Sequence, residues 1–150
     1  MKIVMGSDEK THLTDVVVDE VRKRGHEVEL VGPLQDDSIA WPEVAEQVAE
    51  RVARGQADEG LLFCWTGTGV SMAANKVPGI RAALCGDAET ARGARLWNRA
   101  NVLCMSLRAT PEIIAKEILD AWFNTPLGTD PGDVAAVEHV GRIEGKYSKT

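Results

Sequence analysis

The stretch Leu61-Leu62-Phe63-Cys64-Trp65-Thr66-Gly67-Thr68-Gly69-Val70-Ser71 runs from apolar residues through a cysteine and two glycines into Met72-Ala73-Ala74-Asn75-Lys76. It reads as strand, glycine loop, helix. Glycine lets backbone N–H groups approach a ligand closely, and the start of a following helix adds positive potential, so such a loop suits an oxyanion or a phosphate. No Gly-Lys-Ser or Gly-Lys-Thr follows, and the three-glycine dinucleotide fingerprint is absent, so neither a nucleotide-hydrolase phosphate loop nor a dinucleotide site is read here. By themselves these residues are also compatible with a tight structural turn.

Working outward, apolar runs of strand length recur at Ile3–Met5, Val28–Val31, Leu61–Cys64, Ile80–Leu84 and Val102–Met105. Leu13, Val16, Val17 and Val21 share one helical face. Val44, Val48 and Val52 do the same between Pro42, which can open a helix, and Gly55, which closes one. Thr110-Pro111 reads as a cap and first helical residue, with Ile113, Ile114, Ile118 and Trp122 as the apolar stripe to about Phe123. After the turn-rich Thr125-Pro126-Leu127-Gly128, Asp130-Pro131 opens a last helix carrying Val134, Val137, Val140 and Ile143.

Strands alternating with helices imply right-handed βαβ units. The expected fold is a single α/β domain over residues 1–150: a three-layer α-β-α, Rossmann-like arrangement with a five-stranded parallel sheet. Its ligand should bind where strands end and helices begin. The C-terminal helix is expected to dock on a partner subunit.

The net charge of −6 with scattered basic residues argues against binding a nucleic-acid backbone. No apolar run is long enough to cross a bilayer, and Met1-Lys2 leads straight into Ile3-Val4-Met5, so a cytoplasmic protein without membrane contact is expected. Cys64, Cys85 and Cys104 are odd in number and far apart, which suits reduced thiols at strand ends rather than a disulfide framework. His12, His26 and His139 have no metal-ligand spacing, so no metal site is assigned, and His26 and His139 read as surface residues.

From Cys64 to Arg81, through Val77-Pro78-Gly79-Ile80-Arg81, the chain resembles the type B ribose-5-phosphate isomerases and galactose-6-phosphate isomerases. The likeness extends to Gly6-Ser7-Asp8, to Asn98 and Asn101-Val102-Leu103, and to Asp120-Ala121-Trp122. It implies a cofactor-independent aldose–ketose isomerase working through an enediolate, with Cys64 moving the proton between adjacent carbons. An electropositive glycine loop favours a neighbouring thiolate, and its amides stabilise the oxyanion. On the same resemblance Gly67 and Gly69 supply the amide donors, Thr66 and Asp8 hydrogen-bond the sugar, Asn98 lies near it, and Thr68 sits within the loop, where it is less typical. Asp8 is equally compatible with a helix N-cap. The resemblance further implies a homodimer or dimer of dimers, each site shared so that Trp97, Asn98 and Arg108 serve the Cys64 pocket of another chain.

The chain departs from the family in places that bear on phosphate and ring chemistry. Glu9 follows Asp8 where a phosphate-binding His is usual, and Trp97 precedes Asn98 where the ring-opening His is usual. Gly132 and Ala136 fall where two phosphate-binding arginines are common. Arg108, Lys10 and His12 remain as candidates to rebuild an anion site, although Lys10 and His12 also suit an exposed helix start. Trp41, Trp65 and Trp97 lie on loops near the expected site, as sugar-stacking faces or as packing between loops or subunits. The expected substrate is therefore a sugar phosphate or related sugar other than ribose 5-phosphate, with an open-chain tetrose phosphate fitting the missing ring opener. The rival reading is a noncatalytic sugar- or anion-binding relative; nucleotide or flavin binding rests on fold analogy alone.

Overall fold

The computed structural model describes residues 1–148. Five strands, β1 (Lys2–Ser7), β2 (Glu27–Val31), β3 (Glu59–Cys64), β4 (Ala82–Leu84) and β5 (Val102–Ser106), form one sheet of order β2-β1-β3-β5-β4. Every pairing is parallel. Six helices, α1 (His12–Lys23), α2 (Trp41–Ala53), α3 (Thr68–Ala74), α4 (Ala88–Asn98), α5 (Glu112–Asn124) and α6 (Pro131–Tyr147), and a 3-10 turn at Gly32–Gln35 are the other elements of the described residues.

Because a parallel sheet is covered on both faces, its strands carry apolar residues toward both layers. Ile3, Met5, Leu61, Phe63, Leu103 and Met105 meet α1, α4 and α5, where Val17, Val21, Ala91, Ile118 and Trp122 are buried. Val4, Leu62, Val102 and Cys104 face α2 and α3 through Val44, Val48, Val70 and Ala74. The layers and strand number are those expected from the alternating sequence pattern.

The differences are local. Ile80 and Arg81 precede β4 instead of belonging to it. Pro111 is the cap of α5 and Glu112 its first residue. Trp97 lies in the last turn of α4, which Asn98 ends, rather than on a loop, and α4 itself leaves little apolar trace because its buried face is Ala91, Gly93, Ala94 and Arg95. Helix α1 buries Thr14, Val17, Val18 and Val21, a face rotated from the Leu13 and Val16 side. His26 is half-buried, its ring stacked 4.4 Å from Phe123.

At the end of the sheet opposite the glycine loop, the first residue of β3 is a buried acid. Glu59 ion-pairs with the buried Arg95 of α4 and accepts the Trp122 Nε1–H at 3.2 Å. Arg95 also donates to Ala100 O at 2.7 Å and Thr125 O at 3.3 Å, with its guanidinium 4.7 Å from the centre of the Trp122 ring. Burial pushes the Glu59 carboxyl upward, against the pull of Arg95. The connector to α6 is fastened beside this pair: Gly128 N donates to Arg95 O at 3.1 Å, and a Cβ on Gly128 would run into the Leu96 carbonyl. Removing one member of a buried pair leaves the other charge uncompensated. Glu59→Ala is therefore expected to lower the unfolding free energy by about 3–5 kcal/mol in urea titrations; a loss below about 1 kcal/mol, the range of an exposed pair, would contradict this account.

Candidate active site

Strand β1 pairs with β2 on one side and β3 on the other, so the chain reverses its direction of travel across the sheet between them. Crevices at such switch points, beyond the carboxyl ends of the strands, are where open α/β sheets bind ligands. Asp8 and Cys64 both stand there, and Asp8 N extends the β1–β3 ladder by donating to Phe63 O at 3.2 Å.

Cys64 ends β3 with 6% exposure, and its Sγ accepts the Gly67 N–H at 3.2 Å. The thiol thus faces a backbone dipole at the floor of the loop, above the apolar residues Val70 and Ala74. The other cysteines differ: burial pushes the Cys85 thiol up to about 12 and raises that of Cys104 further still. A thiol so disfavoured as thiolate is inert at neutral pH.

Gly67 caps α3 with φ of +77°, and a Cβ there would meet Leu84 Cδ1 at 2.5 Å and Met105 C at 3.0 Å. Only glycine makes this turn while lying so close to β5. The Gly67 amide is given to sulfur here, and the first N–H groups of α3, from Thr68 and Gly69, are donors that a helix start leaves without an intrahelical acceptor. Thr66 Oγ1 lies 2.7 Å from Thr68 Oγ1, on the exposed side of the loop.

Asp8 is not a helix cap, because Thr11 caps α1 in a reciprocal pair with Thr14. Burial raises the Asp8 carboxyl above its usual range, the charge of Glu9 adds to this, and the Trp65 amide pulls the other way. Its Oδ1 is buried without a hydrogen-bond partner. A buried carboxylate oxygen left in this way is suited to a ligand hydroxyl.

The loop after β5 is stitched to the same edge. Leu107 N donates to Cys64 O at 2.9 Å, Arg108 N to Trp65 O at 3.0 Å, and Ser106 Oγ to Trp65 O at 2.9 Å. Arg108 is exposed, with its backbone on this edge. Ser106 was not anticipated; its only sequence signal is a hydroxyl ending the apolar Val102–Met105 run. From above, the six-membered ring of Trp41 covers Gly69.

Other expected residues are placed elsewhere. Lys10 lines a separate hollow with Asp15, Asp19 and Arg22, and the exposed His12 faces Glu112 at 3.9 Å. Asn101 clamps a turn instead of facing a ligand, accepting from Arg81 N at 2.8 Å and donating to Gly79 O at 3.0 Å. Trp97 folds back over Gly93 beneath Arg92. With Asn98 it lines a groove of about 740 Å³ between β4, α4 and α6, to which Cys64–Ser71 contributes nothing. On α6, Ala136, Val137, Val140 and Ile143 form the opposite wall.

The arrangement joins one thiol, a buried acceptor without a partner and a row of free amides, which is what moving a proton next to a carbonyl requires. Residues 3–140 match the ribose/galactose isomerase family. A D-erythrulose-4-phosphate isomerase of Mycolicibacterium smegmatis is 40% identical over 110 residues, covering 73% of this chain and 72% of its own length. Ribose-5-phosphate isomerase B of Escherichia coli is 40% identical over 122 residues, 81% of this chain and 82% of its own. The solved structure of ribose-5-phosphate isomerase B from Clostridium thermocellum superposes with a TM-score of 0.92 at 38% identity, over 99% of this chain and 100% of its own. The chain belongs to the ribose/galactose isomerase family.

Proposed function

We propose that this chain is a one-domain, cytoplasmic isomerase that interconverts a short aldose phosphate and its ketose, a tetrose 4-phosphate rather than ribose 5-phosphate. The observation that carries the reading is the Gly67 N–H to Cys64 Sγ contact at the switch point of the sheet. It seats the sulfur beside free amides. The family's activity, aldose–ketose isomerisation of sugar phosphates, needs no cofactor for this chemistry.

In the reaction, the Cys64 thiolate removes the proton from the carbon next to the carbonyl. The C–H electron pair forms the new carbon–carbon double bond, and the carbonyl pair moves onto oxygen to give the enediolate. The Thr68 and Gly69 amides hold that oxygen, while Asp8 and Thr66 hydrogen-bond the neighbouring hydroxyls. Return of the proton from Cys64 to the adjacent carbon completes the exchange, and the hydroxyl proton passes between the two substrate oxygens.

The tetrose follows from ring chemistry. A five-membered sugar ring closes through the oxygen on the fourth carbon, and in a tetrose 4-phosphate that oxygen carries the phosphoryl group. Such a substrate stays open and needs no ring-opening acid, which agrees with Trp97 standing where the family commonly has one. The relative named for D-erythrulose 4-phosphate supports the same substrate class. Arg108, whose backbone N donates to Trp65 O, is the candidate cation for its phosphate.

The separation of Trp97 and Asn98 from the loop of their own chain supports a homodimer in which they line the partner's site. The exposed Val140, Ile143 and Tyr147 of α6 suit that contact. Sedimentation is expected to give at least a dimer at micromolar concentration, and a monomer would overturn the shared site.

Activity on D-erythrulose 4-phosphate is expected to exceed that on D-ribose 5-phosphate in kcat/KM by about 10-fold or more. Cys64→Ala is expected to lower kcat by about 100-fold to 10,000-fold, the range of a lost general base. Wild-type activity on neither sugar, or full activity in Cys64→Ala, would overturn the proposal. In the native protein iodoacetamide is expected to alkylate Cys64 alone, more slowly with substrate present, and to reach Cys85 and Cys104 only in urea. Labelling of Cys85 or Cys104 ahead of Cys64 would contradict the placement.

A further inference from the structure

We infer that Trp41 is a specificity-determining residue, whose indole limits the length of the sugar accepted beside the glycine loop. The inference rests on the isomerase reading above and adds to it the side chain that measures the substrate.

Helix α2 is pressed onto the sheet. A Cβ on Gly6 would meet Val44 Cγ1 at 2.5 Å, one on Gly32 would meet Val44 Cγ2 at 2.8 Å, and one on Gly60 would meet Val48 Cγ1 at 2.7 Å. Val44 and Val48 thus occupy the space that side chains at these positions would take, and interdigitation of this kind leaves the helix little freedom to slide. Trp41 is the first residue of that helix. At its end of the helix the pattern repeats over the site, where a Cβ on Gly69 would lie 3.1 Å from Trp41 Cε3 and Cζ3 and 3.3 Å from Cη2.

The indole therefore stands against the loop residue whose amide is one of the free donors. It is not a core side chain: Trp41 is 43% exposed, whereas Trp122 is 0% exposed. A rigid aromatic face carried by a closely packed helix beside an oxyanion site forms a wall. A ligand anchored on the Thr68 and Gly69 amides extends past that wall, so each additional carbon has to fit against it. Pockets discriminate by one methylene at about 10-fold to 200-fold.

The test is calorimetric binding of two enediolate mimics, 3-phosphoglycerohydroxamate for the four-carbon intermediate and 5-phosphoarabinonohydroxamate for the six-carbon one. Wild type is expected to bind the shorter mimic more tightly by about 10-fold or more, and Trp41→Phe to keep that preference. In Trp41→Ala and Trp41→Leu the ratio is expected to fall to about threefold or less, through tighter binding of the longer mimic. Trp41→Leu still covers Gly69 and separates loss of the ring from collapse of the loop. Binding of both mimics with an unchanged ratio in both variants would overturn the role of Trp41 alone. Failure of wild type to bind either mimic would overturn this inference together with the isomerase reading.

Discussion

Three parallel strands run out at nearly the same level, and their backbone bonds hold the site together. Asp8 N reaches Phe63 O, Leu107 N reaches Cys64 O, and Arg108 N and Ser106 Oγ share Trp65 O. Since these bonds join the end of one strand, or the residues just beyond it, to the end or continuation of its neighbour, the Phe63-Cys64-Trp65 segment is held from both sides. A loop with such support presents its amides in fixed directions, and donors fixed in advance stabilise developing charge without reorganising. The Gly67 turn, the seat of the Cys64 sulfur and the orphaned Asp8 oxygen all follow from that alignment.

Glycine has two roles in this architecture. At Gly67 the requirement is conformational, a left-handed backbone pressed against Met105. At Gly6, Gly60 and Gly69 the requirement is space, because α2 carries Val44, Val48 and Trp41 into the places that side chains would fill, and at Gly32, left-handed at φ of +64° and close to Val44, both requirements meet. The first role makes the loop, and the second fixes the helix that roofs it.

Much of this could be read from residue order. The apolar runs at Ile3, Val28, Leu61 and Val102 announced strands because a doubly covered sheet needs near-continuous apolar sequence. Asp130-Pro131 announced α6 because a carboxylate can cap a helix start, and Asp130 does accept from Gly132 N and Asp133 N. Helix α4 stayed hidden, since its buried face is built of small residues around Arg95. The Glu59–Arg95 pair was equally illegible, because its partners lie far apart in sequence and a charge opening a buried strand looks like a break. The loop around Cys64 was found by its glycines and by the family resemblance, yet only the geometry shows that the Gly67 amide serves the sulfur. Lys10 and His12 looked available as cations, and tertiary placement set Lys10 at a separate hollow and His12 opposite Glu112.

The central claim is that one thiol passes a proton between neighbouring carbons of a bound sugar phosphate. The most direct measurement follows isomerisation of D-erythrulose 4-phosphate in deuterium oxide by proton NMR. The account expects deuterium at the carbon beside the carbonyl, and loss of both label and turnover in Cys64→Ala. Isomerisation or labelling that continues at the wild-type rate without Cys64 would contradict it.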